Sequence, residues 1–205
     1  MTAAAKYQLY TFEEFCALIP EGQKADLIDG VAYLASPVNI EHFSINQWLS
    51  RLIADFLEES MIPGEVFGYR IAFRLGLTEG PEPDLGYVQG NRLHLVGKTY
   101  VDGPPDLAIE IVSPDSIERD YKKKHRQYEE AGVGEYWIID PMKAKMTCFA
   151  LLHKGKFKQV RARGGKIHSQ IIPGFWVRPV WFWQTPLPKK NEVLAELLKG
   201  KKHGQ

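Results

Sequence analysis

The chain has 205 residues, 44% of them hydrophobic and 25% charged, a composition that excludes disorder, collagen-like repeats and fibrous folds and suffices for one closed core. Its only cysteines, Cys16 and Cys148, are too few for a disulfide framework and form no C-x-x-C pair for zinc; with no secretion signal and no apolar run approaching the ~18 residues of a membrane helix, a cytoplasmic location is expected. The net charge of +1 hides an asymmetry, because residues 1–140 hold 12 Lys and Arg against 23 Asp and Glu while residues 141–205 hold 14 against 2, a pattern that fits either a polyanion partner or solvated hairpin faces and a tail of Lys199, Lys201 and Lys202.

Along the chain, Thr11-Phe12-Glu13-Glu14 predicts a capping box and a short helix to Ile19, ended by Pro20 and Gly22. Asp29-Gly30 between Ala25–Ile28 and Val31–Ala35 predicts a two-residue hairpin, since its type I′ turn needs positive φ twice. After an Asn39 cap, Phe43, Trp48, Leu49, Leu52, Ile53, Phe56 and Leu57 recur at helical spacing and mark the main amphipathic helix. The segment Phe67–Leu75 alternates like a half-buried strand, and Asp84–Val88 reads as a short strand entered through Pro83. Asp106–Val112 is apolar except for Glu110, the pattern of a central buried strand. A helix over Ser116–Ala131 capped by Gly132 and a strand over Glu135–Asp140 follow, an order that suggests a parallel crossover. Met146–Leu152 and Phe157–Val160 predict a C-terminal hairpin, Asn191–Lys199 a last helix, and Gly200–Gln205 a disordered tail. The expected architecture is α/β: one domain over residues 1–185 with a mixed central sheet, followed by a basic C-terminal helix and tail over 186–205.

Glu110 is the chemical anomaly. Strand parity puts Asp106, Ala108 and Glu110 on one face and Leu107, Ile109 and Ile111 on the other, so a neighbouring strand starting at Asp84 would bring Asp84 to Glu110. A carboxylate in an apolar strand must be neutralised, paired or bound to a cation. If the cation is a metal, oxygen-only ligands select Mg²⁺ or Mn²⁺ over zinc. On the helix that follows, Lys124 shares a face with Tyr121 and Tyr128, whereas Lys122 and Lys123 are rotated away. Two carboxylates, a metal and an inward lysine suit phosphodiester hydrolysis, in which the ammonium stabilises charge building on phosphorus. Asp106 is expected to end its strand, and Cys148 to be a small buried hydrophobe.

Five segments resemble a known family: DLIDG at 26–30, PDLGYV at 83–88, PPDLAIEIVSPDS at 104–116, AGVGEYWIIDP at 131–141, and the spacing Asp120-x-x-x-Lys124-x-x-x-Tyr128. Together they resemble the Uma-two family of restriction endonucleases, over residues 7–180. The resemblance implies a restriction-endonuclease-like PD-(D/E)XK fold, a mixed sheet flanked by helices, and Mg²⁺-dependent (or Mn²⁺-dependent) cleavage of DNA. It makes Asp84 and Glu110 the metal ligands and Lys124 the lysine of the motif, reaching in from the helix because Val112 occupies the usual place two residues after the acid. It also brings in Asp26, where the family usually has Glu, and His42, where the family commonly has His.

The expected function is therefore a metal-dependent endodeoxyribonuclease acting on DNA, with a homodimer as the natural way to cut both strands and no organic cofactor. The alternative is a catalytically inert nucleic-acid-binding or regulatory protein on the same fold, made plausible by Asp26 and the displaced lysine. A weaker third reading is an interaction module that dimerises through Trp176, Trp181 and Trp183, which read most simply as core or interface, although tryptophans among lysines can stack on unpaired bases.

Overall fold

The computed structural model describes residues 8–20, 23–68, 70–152 and 154–199. Helix α1 (Phe12–Leu18) begins with the expected capping box: Thr11 Oγ1 accepts from Glu14 N at 3.2 Å and Thr11 N donates to the Glu14 carboxylate at 2.8 Å. The hairpin of β1 (Ala25–Ile28) and β2 (Val31–Leu34) turns through Asp29 and Gly30, at φ 50° and 74°, the doubly positive conformation that Asp-Gly tolerates. Its Ala25 and Leu27 pack on Phe12 and Phe15, so α1 covers one face of the hairpin. Gly22, expected to help end α1, lies outside the described residues, as does the tail 200–205.

Helix α2 (Ile40–Glu59) is capped by Asn39, whose Oδ1 accepts from His42 N at 2.8 Å. Its buried stripe, from Ile45 to Leu57, packs on one face of a six-stranded sheet. The remaining elements, in order, are β3 (Gly64–Gly68), β4 (Ala72–Phe73), β5 (Leu85–Gln89), β6 (Tyr100–Val101), β7 (Leu107–Ile111), α3 (His125–Glu130), β8 (Glu135–Asp140), β9 (Lys145–Leu151), β10 (Phe157–Val160), β11 (Ile167–His168), β12 (Trp176–Val177) and α4 (Lys190–Lys199). The sheet runs β10-β9-β8-β7-β5-β3, with β7 and β8 parallel and every other pair antiparallel, so it is the mixed sheet expected. The β9–β10 hairpin extends its edge.

Parity along β7 sorts as the sequence indicates. Leu107, Ile109 and Ile111 face α2, together with Trp137 and Ile139, whereas Ala108 faces α3 with Tyr128, Tyr136 and Ile138. Gly86 of β5 leaves room for the Phe73 ring of β4, from which a Cβ would lie 2.5 Å. Helix α4 lies against α2, with Val193 and Leu197 in the main core and Lys190 paired to Asp55.

One expectation is corrected. The strand over Phe67–Leu75 is two strands: Arg70 takes a left-handed φ of 69°, which ends the pleat, and the chain re-enters as β4 to pair with β6 instead of β5. Tyr69, in that segment, lies outside the described residues. The helix expected over Ser116–Ala131 forms over residues 117–130, with a π-helical stretch at Arg119–Lys124 running into α3 and Gly132 at φ 77° closing it. Trp176 and Trp181 are core residues, 5% and 6% exposed, as their simplest reading has it, so they present no surface for bases.

The charge asymmetry partly cancels across the fold, because Lys156 pairs with Glu129, Lys143 with Asp140 and Lys190 with Asp55. Among the described residues no helix is long and apolar enough to cross a membrane.

Candidate active site

Pro83 delivers Asp84 to the start of β5, and the pairing of Leu85 with Ile109 places it beside Glu110 on the neighbouring strand. Asp84 N points at Glu110 Oε2, 3.4 Å away, and Ile111 N donates to Asp84 Oδ2 at 2.7 Å. Two further groups close on the same carboxylate: Lys24 Nζ lies 2.5 Å from Oδ1, and His42 Nε2 lies 3.0 Å from Oδ2. A carboxylate only accepts, so Nε2 carries the hydrogen; Nδ1 is buried without a hydrogen-bond partner. Asn46 of α2 fixes the strand end by donating to Asp84 O at 3.0 Å.

Glu110 is buried at 2% exposure and is held from the opposite side. Its Oε1 accepts from Lys124 Nζ and from Tyr128 Oη, each at 2.8 Å. Lys124, 1% exposed, is also 2.8 Å from Asp26 Oδ1, so one ammonium bridges two carboxylates. Asp26 Oδ1 accepts from Glu82 N at 3.0 Å, while Oδ2 faces Arg119 Nε at 3.2 Å without forming a hydrogen bond. All five sequence-predicted residues, Asp84, Glu110, Lys124, Asp26 and His42, thus come together around one cleft end.

The electrostatics follow from burial against pairing. For Asp84, burial raises the pKa, but the Lys24 ammonium and the His42 hydrogen bond outweigh it and hold the carboxyl well below the usual range. For Glu110, burial wins over the opposing Lys124, helped by the charge of Asp84, and its pKa is raised. Burial would deprotonate Lys124, but Asp26, Glu110 and Asp120 overcome it and hold the proton more tightly than water does. Two outer acids are raised as well. Burial pushes Glu82 up to about 7 against the hydrogen bond from Ala25 N, and pushes Asp120 up to about 8 with the help of the Glu110 charge.

The donor chemistry fits a hard divalent cation in kind: Asp84 and Glu110 supply carboxylate oxygens only, and Asp26 Oδ2 is a buried carboxylate oxygen without a hydrogen bond. Asp84 and Glu110 are the residues that would hold it. The fit carries a condition, because Lys24 sits on Asp84 Oδ1 and Lys124 on Glu110 Oε1, and among the described residues no group of three or more His, Cys, Asp and Glu forms a ready ligand set. Any ion at Asp84 therefore competes with Lys24.

Sequence reasoning did not single out Lys24, Arg119 or Glu82. Lys24 had a usable signal: it stands two residues before Asp26, hence at the same strand parity. Arg119 and Glu82 carried none. Asp106, expected to end its strand, does so by pairing with Arg92 at 2.7 Å and capping Gln89 N. Cys148 is fully buried, with its thiol pushed up by burial. The cleft itself, about 400 Å³, is lined by Lys24, Asp84, Glu110, Arg119, Asp120 and Lys124 together with the Ser113–Ser116 loop.

Comparison with known proteins bears on this arrangement. A family model, Uma2, described as "Putative restriction endonuclease", matches residues 12–180. No curated protein matches in sequence. Among solved structures, a putative nuclease belonging to DUF820 from Anabaena variabilis ATCC 29413 is similar in fold, with a TM-score of 0.70 over 84% of this chain and 97% of that one, at 16% identity.

Proposed function

The chain belongs to the Uma2 family of "Putative restriction endonuclease" proteins, and from that premise we propose that it is a metal-dependent endonuclease that hydrolyses phosphodiester bonds of DNA. The observation that carries the reading is the convergence of Asp84 and Glu110, on adjacent strands, with Lys124 bridging Glu110 to Asp26. A divalent cation bound at Asp84 and Glu110 would neutralise phosphate charge and acidify an attacking water.

The chain's own residues supply the rest. Lys124 is locked by two carboxylates and Tyr128 by Glu110, so the ammonium is pre-positioned to oppose charge that builds on the phosphoryl oxygens. His42 and Ile111 N fix the plane of the Asp84 carboxylate. Arg119, 11% exposed at its side chain and lining the cleft, adds a second cation near the phosphate.

A second reading, a nucleic-acid-binding protein with an inert site, is favoured by one observation: Lys24, Lys124 and Arg119 already balance Asp84, Glu110 and Asp26 without any ion. A calorimetric Mn²⁺ titration of the wild type, Asp84→Asn and Glu110→Gln separates the two. The nuclease reading expects binding by the wild type that both variants lose, together with Mn²⁺-dependent nicking of plasmid DNA. A folded wild type that takes up no Mn²⁺ leaves the inert reading.

A further inference from the structure

The carboxylate cleft continues into a second lobe of about 380 Å³, and the two share Lys24, His42, Asp84 and the segment Ala35–Val38. What the second lobe adds is Phe43 and Pro83 on its walls and Arg70 at its lining. Val38 and Phe43 are 56% and 46% exposed, unusual for large apolar side chains beside a charged site. Arg70 holds the left-handed backbone conformation that splits β3 from β4, and it is exposed.

We propose that this cavity receives an unpaired nucleobase, so that the substrate strand is single or locally unpaired at the position cut; the inference rests on the nuclease reading above and names its substrate class. The argument is one of adjacency and complementarity. A nucleotide is an anion joined to a flat apolar ring, and here a cationic, carboxylate-lined cleft runs, past the shared Ala35–Val38 segment, into a lobe that adds the Phe43 ring and Pro83. A phosphate held in the cleft has its base beside Phe43 and Pro37, and Arg70 and Lys24 supply positive charge for the flanking phosphate. A paired base cannot use the cavity, since it stays stacked inside the duplex. A duplex backbone laid over this lobe would press phosphates on Phe43 and Pro83. Apolar walls and an aromatic ring accept any base, so little base preference is expected.

The test is fluorescence anisotropy of a labelled single strand and of its duplex, in chelator, with the wild type, Phe43→Ala, which removes the stacking surface, and Phe43→Leu, which keeps an apolar wall without a ring. The wild type should bind the single strand at least about tenfold tighter than the duplex, and each variant should lose about tenfold on the single strand and little on the duplex. Equal affinity for the two forms, no binding of either, or variants that lose nothing or lose equally on both would overturn the proposal. Mn²⁺ titration of the same proteins keeps the two readings apart. Single-strand preference without Mn²⁺ uptake removes the nuclease and leaves the base cavity, whereas Mn²⁺ uptake lost in Asp84→Asn without dependence on Phe43 removes the cavity alone.

Discussion

Lys24 Nζ lies 2.5 Å from Asp84 Oδ1, although sixty positions separate the two in the sequence. The ammonium occupies an oxygen that a divalent ion would need, so it acts as a resident competitor. Replacing it with a neutral side chain, Lys24→Met, is expected to tighten Mn²⁺ binding by about tenfold, equivalent to roughly 1.4 kcal/mol. Isothermal calorimetry reads this directly, and weaker or unchanged binding would show that Lys24 supports the site instead.

Lys124 should matter as much for stability as for chemistry. Lys124→Met leaves Asp26 and Glu110, 1% and 2% exposed, without their shared cation, and breaking a buried pair in this way costs about 3–5 kcal/mol. Urea unfolding should show this loss, and adding Glu110→Gln to the same protein should recover part of it. A loss below about 1 kcal/mol would mean that the cluster relaxes around the missing ammonium.

The raised pKa of Asp120 predicts a pH dependence with a definite sign. Burial, with the Glu110 charge, moves its pKa from 3.8 to about 8, so the folded protein binds this proton more tightly than the unfolded chain does. The contribution is fully present below the unfolded pKa and is lost as pH rises from about 4 to about 8. Stability of the wild type should therefore fall, relative to Asp120→Asn, by a few kcal/mol at most over that window. Parallel thermal-melting profiles of the two proteins across the window would contradict it.

The two thiols should differ in reactivity. Cys16 is exposed on α1, whereas Cys148 is buried in β9, where it donates to Glu135 at 3.4 Å. A thiol reagent should modify one cysteine in the native protein and both after unfolding; fast labelling of Cys148 in the native state would show that the β8–β9 region opens.

The central strands and the core of the site were legible because their signals are local. Glu110 stood out as the one acid in an apolar run, period-two parity assigned its face, and Pro83-Asp84 announced the strand that meets it. The Asp-Gly turn and the Thr11–Glu14 box were equally explicit. What escaped is what depends on distant partners or carries no composition. Arg70 itself is not a residue type that announces a left-handed turn, and Gly68, which ends β3, was the one local mark of the split from β4. The π-helical stretch at Arg119–Lys124 has the composition of an ordinary helix, and the burial of Asp120 and Lys124, four positions apart, suits an α-helix equally, so the sequence does not separate the two. Trp176 and Trp181, most simply read as core, are core, and Lys166 lies 3.5 Å from the Trp176 ring centroid.

The hairpin that carries Asp26 also has a consequence for how the cleft can change shape. Lys24 and Asp26 leave the same strand edge two residues apart, one ending on Asp84 and the other on Lys124. Lifting the hairpin away would thus withdraw one positive and one negative charge in a single movement, leaving the remaining cluster no more charged than before. Opening it would break the Lys24–Asp84 and Asp26–Lys124 pairs and the Asp29–Arg126 pair at its turn, together with hydrogen bonds such as Gln127 Nε2 to Leu27 O at 2.9 Å and the Phe12 and Phe15 contacts on its far face.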